Sequence, residues 1–459
     1  MKKASRTISG VTPVAVMTAP SACPGKCIYC PTFADVPQSY TPKSPAVLRG
    51  ARCDYDSLEQ VKLRLRIFKE MGHPIDKVEL IVMGGTFLAT SQDYQYGFIK
   101  GCYDALNGTV AKNLEEAKKI NETASQRCTG LCIETRPDYC GEEEVARMVQ
   151  FGATRVELGV QVLDDEIYKL VKRGHGIEDV VKATKLLRES GLKIHYHWMP
   201  GLPGSSPKHD LEMTGKLFKD ERFKPDGLKL YPTMVIEGTE LAKWHQEGRY
   251  TPYDKETMLS LIIEMKKLVP TYVRLSRVLR DIPADYINAG LKDSLRDIVK
   301  KRMNSEGYAC HCIRCREYGH RLKNGVEMGI PKLKRMDYNA AGGKEVFLSY
   351  EDDNGTLFGL LRLRVQDVEI PILEKGDNGK KAIIRELHIY GPEVALGRVA
   401  YEAVQHRGLG KSLLAKAERI AKEYGAQKVA VLSGVGARQY YYSEAYQEIN
   451  GYMVKVLSA

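Results

Sequence analysis

At 459 residues the chain is longer than one ordinary core, and at about 100–200 residues per domain it should hold two or three domains. Eleven cysteines, an odd and partly grouped set, speak against a secreted disulfide scaffold and for metal ligation in a reducing cytoplasm. Sixty-nine Lys and Arg against 58 Asp and Glu leave a charge of +11, which favours a polyanionic partner, and no apolar stretch reaches the 18 or so residues that span a membrane.

Lys2, Lys3 and Arg6 precede a short apolar run that imitates a signal peptide, but Pro13 interrupts it and Val14–Met17 reads as a first strand. Cys23-Pro-Gly-Lys-Cys27-Ile-Tyr-Cys30 follows at once. A four-iron cluster normally takes four cysteines, so a compact set of three offers three thiolates and leaves one iron open. A zinc site and a disulfide are the competing readings. The next patterns alternate strand and helix. Strands are expected at Lys77–Met83, Gly130–Thr135, Thr154–Val160, Leu192–Met199, Gly227–Tyr231 and, as a seventh, Tyr272–Leu275. Helical patterns include Tyr55–Met71, Glu142–Phe151, Glu178–Ser190 and Lys255–Leu268, the first with Lys62, Arg66 and Lys69 on one face. This order predicts an α/β fold with a parallel sheet, closed into a partial (β/α) barrel whose chemistry gathers at the C-terminal strand ends. The unusual residues do fall there: the cysteines, Gly84-Gly85-Thr86, Glu134 to Asp138, Gln161, and His195 and His197 before Pro200–Gly204.

Over residues 1–280 these features resemble the radical S-adenosylmethionine superfamily. The resemblance implies that Cys23, Cys27 and Cys30 hold a 4Fe-4S cluster, that S-adenosylmethionine chelates its open iron, and that Gly84, Gly85 and Thr86 contact the methionine.

Residues 281–340 break the alternation and read as a linker. Cys310, Cys312 and Cys315 fall within six positions, which favours zinc over three unrelated thiols, with His320 or His311 as a fourth ligand. Lys300–Arg302 and Lys332–Arg335 are two basic knots. From 341 to 459 the pattern turns α+β. Glu345–Tyr350 and Thr356–Val365 form a hairpin across Asn354-Gly355, and a long strand covers Ala382–Tyr390. A helix opening at Gly408-Leu409-Gly410-Lys411 runs to about Tyr424, followed by a strand Lys428–Leu432, a helix Ala437–Ala445 and a strand Tyr452–Leu457. Gln405-x-x-Gly408-x-Gly410 at a helix start suits phosphate, through free N–H groups and the helix dipole. This stretch resembles the Gcn5-related acetyltransferase fold, which implies acetyl-coenzyme A on Glu386, Leu387, His388 and Ile389 and on Gln405 and Gly408–Lys411, with Tyr441 as general acid.

With Gly84–Phe87, Glu157–Gln161, Arg280–Pro283, Cys315–Glu317, Glu386–His388 and Ser433–Gly436, the whole chain resembles the family of the Elongator catalytic subunit. The resemblance implies a tRNA-modifying enzyme that makes 5-carboxymethyluridine at the wobble uridine (U34) from acetyl-coenzyme A, through radical chemistry and thioester hydrolysis. It adds Lys77 to the acetyl-coenzyme A contacts. By chemistry, Glu386 suits a general base and Tyr441 an acid. Partners implied are the tRNA anticodon stem-loop and an electron donor, for a cytoplasmic bacterial or archaeal form acting as monomer or homodimer without accessory subunits. A protein-lysine acetyltransferase using only the C-terminal domain, or a non-catalytic tRNA-binding module, would be the alternatives.

Overall fold

The computed structural model describes residues 7–292, 295–370, 379–391 and 408–457. Six parallel strands follow one another in chain order: β1 (Thr12–Met17), β2 (Lys77–Met83), β3 (Arg127–Thr135), β4 (Arg155–Gln161), β5 (Lys193–Trp198) and β6 (Gly227–Leu230). β7 (Val235–Ile236) leaves the sheet to pair with β9 (Ile287–Ala289), and β8 (Arg274–Val278) adds the seventh parallel strand beside β6. β1 and β8 are the edges and do not pair, so the sheet is a half-barrel open along one side. Helices cover its outer face, fixed at their starts by side chains that accept from the first turn: Asp56 from Glu59, Ser91 from Tyr94, Asp164 from Ile167 and Asp254 from Thr257. The inner face is polar, with Glu79, Arg155, Glu157, His197, Lys229 and Arg274 along a cavity. A closed barrel would carry branched aliphatic side chains there.

The second sheet has seven strands: β10 (Lys332–Ala340), β11 (Gly343–Glu351), β12 (Leu357–Gln366), β13 (Lys380–Ile389), β14 (Ala426–Val431), β15 (Gln447–Ile449) and β16 (Tyr452–Val456). Their order is β10-β11-β12-β13-β14-β16-β15. Every pairing is antiparallel except β13 with β14, whose connection includes the helix Leu409–Glu423. Lys332–Ala340, expected in the linker, is therefore an edge strand of this sheet. The expected helix Ala437–Ala445 is shorter, Arg438–Tyr442, behind a 3-10 turn at Val435–Ala437. The reason is close packing: a Cβ on Gly434 would stand 2.2 Å from the carbonyl oxygen of Thr129, and one on Gly436 2.4 Å from Arg127 Cβ. The turn is thus pressed onto the backbone of β3.

The two sheets share one apolar core. Ile383 of β13, Val435 and Tyr452 of β16 are buried in the same cluster as Val156, Leu187 and Ile194. Beside it lies a buried charge network. Asp226, just before β6, accepts from both Arg385 nitrogens at 2.7 Å, while Glu345 meets Arg385 at 2.8 Å, Arg364 at 3.0 Å and Arg188 at 3.1 Å. Arg385 can turn out of β13 because it is the extra residue of a bulge, Arg362 pairing with Glu386 and Leu363 with Ile384. Among the described residues no helix is long and apolar enough to cross a membrane.

A composite candidate active site

A cavity of about 540 Å³ occupies the half-barrel. At its upper end, beyond the C-terminal ends of the strands, lie Cys23, Cys27 and Cys30, all partly exposed to it. Their sulfurs do not form a group within 4.8 Å, whereas one zinc ion with Zn–S bonds of about 2.3 Å would draw its thiolates to about 3.8 Å apart. The spread suits a cluster better than a single ion. Each cysteine has its own polar contact. Cys23 Sγ lies 3.7 Å from Thr86 Oγ1, Arg173 donates to Cys27 Sγ at 3.4 Å, and Cys30 Sγ lies 3.0 Å from Ser39 Oγ and 3.3 Å from Gln38 Nε2. Burial pushes the Cys30 thiol up, against the Ser39 and Gln38 hydrogen bonds. Gly84 follows β2 at φ 129°, with a Cβ position only 2.0 Å from Thr18 Oγ1, so this turn admits only glycine.

Three buried polar atoms on this wall have no protein partner: Arg136 Nη1, Gln161 Oε1 and Arg173 Nε. Orphaned donors and acceptors around three cavity-facing thiols fit a bound group that carries both charge and hydrogen-bonding atoms. The thiols would hold a four-iron cluster, and the orphans suit a polar ligand beside it. Lower in the cavity, Glu157 is buried against Lys229 and lies 3.2 Å from His197 Nε2 and 3.7 Å from Arg155. Lys229 also reaches Glu134 at 3.3 Å, and Tyr40 donates to Glu134 at 3.3 Å. Burial opposes ionisation of Glu157, but the charge of Lys229, aided by His197 and Arg155, holds its carboxyl well below the usual range. Glu134, Glu157 and His197 have the spacing of a metal site, yet the Lys229 ammonium already supplies the positive charge among them. Spacing along the chain does not single out Arg155, Arg173, Lys229 or Arg274. For Arg155, Lys229 and Arg274 the usable signal was charge at inward positions of otherwise apolar strands, whereas Arg173 lies in the loop after the helix Asp165–Leu170.

The second group of predicted residues lies at the opposite end. Lys77 is the first residue of β2, at the far end of that strand from Gly84. Lys193, the first residue of β5, meets Glu386 Oε1 at 3.4 Å, and Arg362 donates to Glu386 Oε2 at 2.8 Å. Burial works to raise the pKa of Glu386, but Lys193 and Arg362 hold it well below the carboxylate range, which makes it a weak base. His388 Nε2 lies 2.9 Å from the Ser9 carbonyl oxygen and its ring stacks on Tyr390, while Leu387 and Ile389 pack against a separate apolar cluster within the second unit that includes Leu361, Leu413 and Tyr441. Gly408, at φ 75°, precedes the helix Leu409–Glu423, and among the described residues no side chain caps the N–H groups of its first turn, Leu409, Gly410 and Lys411. Gln405 lies outside the described residues. Lys411 pairs with Glu444 at 2.6 Å. Tyr441 is 6% exposed between Tyr440 and Tyr446, and burial pushes its phenol up. The Tyr440 hydroxyl, not that of Tyr441, stands near Gly410, 3.3 Å from where a Cβ would be, and it is buried without a hydrogen-bond partner.

Between the two units, Cys310, Cys312 and Cys315 bring their sulfurs within 4.8 Å of one another, as one zinc ion would need. Neither His311 nor His320 joins that group among the described residues.

Residues 18–217 match the radical SAM superfamily and residues 225–305 the radical SAM C-terminal domain. Over 458 residues, all of both chains, the protein is 64% identical to a tRNA uridine(34) acetyltransferase of Dehalococcoides mccartyi. It is 41% identical to human Elongator complex protein 3 over 99% of this chain and 86% of that one. Among solved structures, the archaeal Methanocaldococcus infernus Elp3 with an N-terminal deletion superposes with a TM-score of 0.86 at 46% identity, covering 98% of this chain and all of that one.

Proposed function

The chain belongs to the radical SAM superfamily and, within it, to the family of tRNA uridine(34) acetyltransferases and Elongator complex protein 3, and from that premise we propose that it carboxymethylates C5 of the wobble uridine of tRNA, drawing the two carbons from acetyl-coenzyme A. The observation that carries this reading is the single cavity with the three cysteines at one end and Arg274, which reaches Tyr390 beside β13, at the other. A cluster with bound S-adenosylmethionine supplies, when present, an organic radical able to take hydrogen from an unactivated methyl group, which no acid or base in the chain could do.

The chain's own residues bind, orient and move protons. Cys23, Cys27 and Cys30 would ligate the cluster, and Gly84–Thr86 would let a ligand's polar atoms approach the backbone. Leu409–Lys411 would hold the coenzyme's phosphates, with Glu386–Ile389 and Lys77 beside its acyl arm. Tyr441, protonated at neutral pH, suits an acid toward a departing thiolate. Glu386 is better suited to holding Arg362 and Lys193 than to activating water. Zinc on Cys310, Cys312 and Cys315 would staple the stretch between the sheets. The +11 charge suits tRNA, drawn by its phosphates. The test is anaerobic reconstitution with tRNA, S-adenosylmethionine, a reductant and acetyl-coenzyme A, followed by nucleoside analysis. Absence of a C5-substituted uridine, with the cluster intact by spectroscopy, would overturn the reading.

A further inference from the structure

We propose that Arg274 binds the thioester carbonyl oxygen of the acyl donor and stabilises the negative charge that develops there during hydrolysis; this rests on the acetyl-coenzyme A reading above. Arg274 opens β8, lines the cavity, and carries its guanidinium toward the second unit. Nη1 donates to the Tyr390 hydroxyl at 3.5 Å, and Nη2 lies 2.9 Å from Glu317 Oε2. Both partners are fixed in turn. Tyr390 stacks on His388 with ring centroids 4.3 Å apart, and Ser9 donates to Glu317 Oε1 at 2.8 Å. Arg274 is therefore held at the junction of the barrel cavity and the strand β13.

A guanidinium has five N–H donors in a rigid fork. These two contacts engage two of them, and 22% of the side chain remains open. Glu386 cannot serve the same oxygen, because it is an anion. Tyr441 is packed between two other tyrosine rings. A fixed cation at the cavity floor suits an oxyanion far better than a mobile one, since its orientation is set before reaction.

The step balances without an external oxidant or reductant. The oxygen of water adds to the thioester carbonyl carbon, and the carbonyl electrons move to oxygen, facing Arg274. Collapse breaks the C–S bond. The sulfur leaves as thiolate and takes one proton, and the new carboxylic acid releases the other to solvent.

The experiment compares R274Q, R274K and E317Q with wild type in tRNA-stimulated release of free coenzyme A. R274Q should lower kcat by about 100-fold, the usual effect of removing one oxyanion donor, with KM for acetyl-coenzyme A changed less than about threefold. R274K should recover part of that loss. E317Q removes the charge of the ion pair but keeps an amide oxygen that can accept from Nη2, so the guanidinium stays oriented and kcat should hold within about fivefold. Equal kcat losses in R274Q and E317Q would reduce Arg274 to a tie between the units and overturn the proposal. Infrared spectroscopy of the ¹³C-labelled thioester carbonyl gives a readout that survives poor turnover. Bound to wild type it should absorb at lower frequency than in water, and the shift should shrink in R274K; an unshifted band would also overturn the proposal. Should wild type release no coenzyme A with tRNA, the broader functional reading fails; should the Arg274 variants match an active wild type, only this inference fails.

Discussion

Replacing Asp226 by Asn changes one atom and removes the charge at the centre of the buried network. Asp226 is 1% exposed, and both its oxygens are used. Oδ1 accepts from Arg385 at 2.7 Å and lies 3.4 Å from Arg362 and 3.7 Å from Arg188. Oδ2 accepts from the other Arg385 nitrogen at 2.7 Å and from the Ile194 N–H at 2.9 Å. Whichever way an asparagine amide is turned, its NH₂ meets a guanidinium donor, and three arginines lose their shared anion. Removing one partner of a buried pair costs about 3–5 kcal/mol, and D226N should fall at or above that range in urea unfolding. The pH dependence separates this from simple misfit. Burial favours the protonated acid, but Arg385, Arg188 and Arg362 hold Asp226 well below the usual range, and Arg385, Arg188 and Arg364 lower Glu345 against the same burial. Both groups therefore titrate lower folded than unfolded. Their stabilisation is complete above about pH 4 and is lost as pH falls below it, because the unfolded chain takes up protons first. Burial likewise lowers His195 and His388, so an earlier limb should begin below about pH 6.5. D226N should keep the limb below pH 6.5 and make the one below pH 4 shallower by the share of Asp226, because Glu345, Glu157 and Glu386 are also held low and keep theirs. A loss under about 1 kcal/mol, or an unchanged acid limb, would refute the account of the network.

Gly84→Ala should cost about 2–5 kcal/mol from the positive φ and the overlap with Thr18 together, and should weaken S-adenosylmethionine binding to reconstituted protein by at least about tenfold. Unchanged affinity in equilibrium dialysis would mean the turn does not face the ligand. Cys312→Ser should remove zinc from the purified protein by elemental analysis and lower its melting temperature, and a wild type purified without zinc would defeat the assignment. Lys62, Arg66 and Lys69 are exposed along the helix Ser57–Glu70. Changing all three to Ala should weaken tRNA binding and lower the salt slope by about one for each phosphate that no longer meets a cation. An identical slope would move the tRNA to another face.

Much of this architecture is written in local pattern. The seven barrel strands announce themselves by short apolar runs ended by glycine and proline, and the cysteine loop after β1 stands out by three thiols at close spacing. β10 is harder to find, because residues 332–337 are exposed on both faces and show no alternation, so Lys332, Lys334 and Arg335 read as a charge run. The six-residue network from Arg188 to Arg385 is harder still. Arg362 and Arg364 alternate along β12 as if on a solvent face, yet every residue of β12 is buried, because the barrel unit covers that face. The same holds for Arg274 and Lys229, whose roles depend on which strands stand opposite them. Long-range docking decides these residues, and no local periodicity carries it.

That docking bears on whether the second unit could act alone as an acetyltransferase. A sheet with one face under a helix and the other under solvent would alternate along β12, and it does not. Ile383, Val435 and Tyr452 of the second unit are each fully buried in a cluster that includes residues of the barrel. Gly434 and Gly436 lie on the β3 backbone. A chain beginning at Lys332 would expose that apolar face and leave Arg362, Arg364 and Arg385 without Asp226. Such a fragment should bind a hydrophobic dye strongly and unfold without a cooperative transition. A cooperative, dye-free fragment that retains coenzyme A binding would show a self-sufficient second unit and favour the stand-alone acetyltransferase. The buried face instead argues that β13 is ordered by the barrel packed against it.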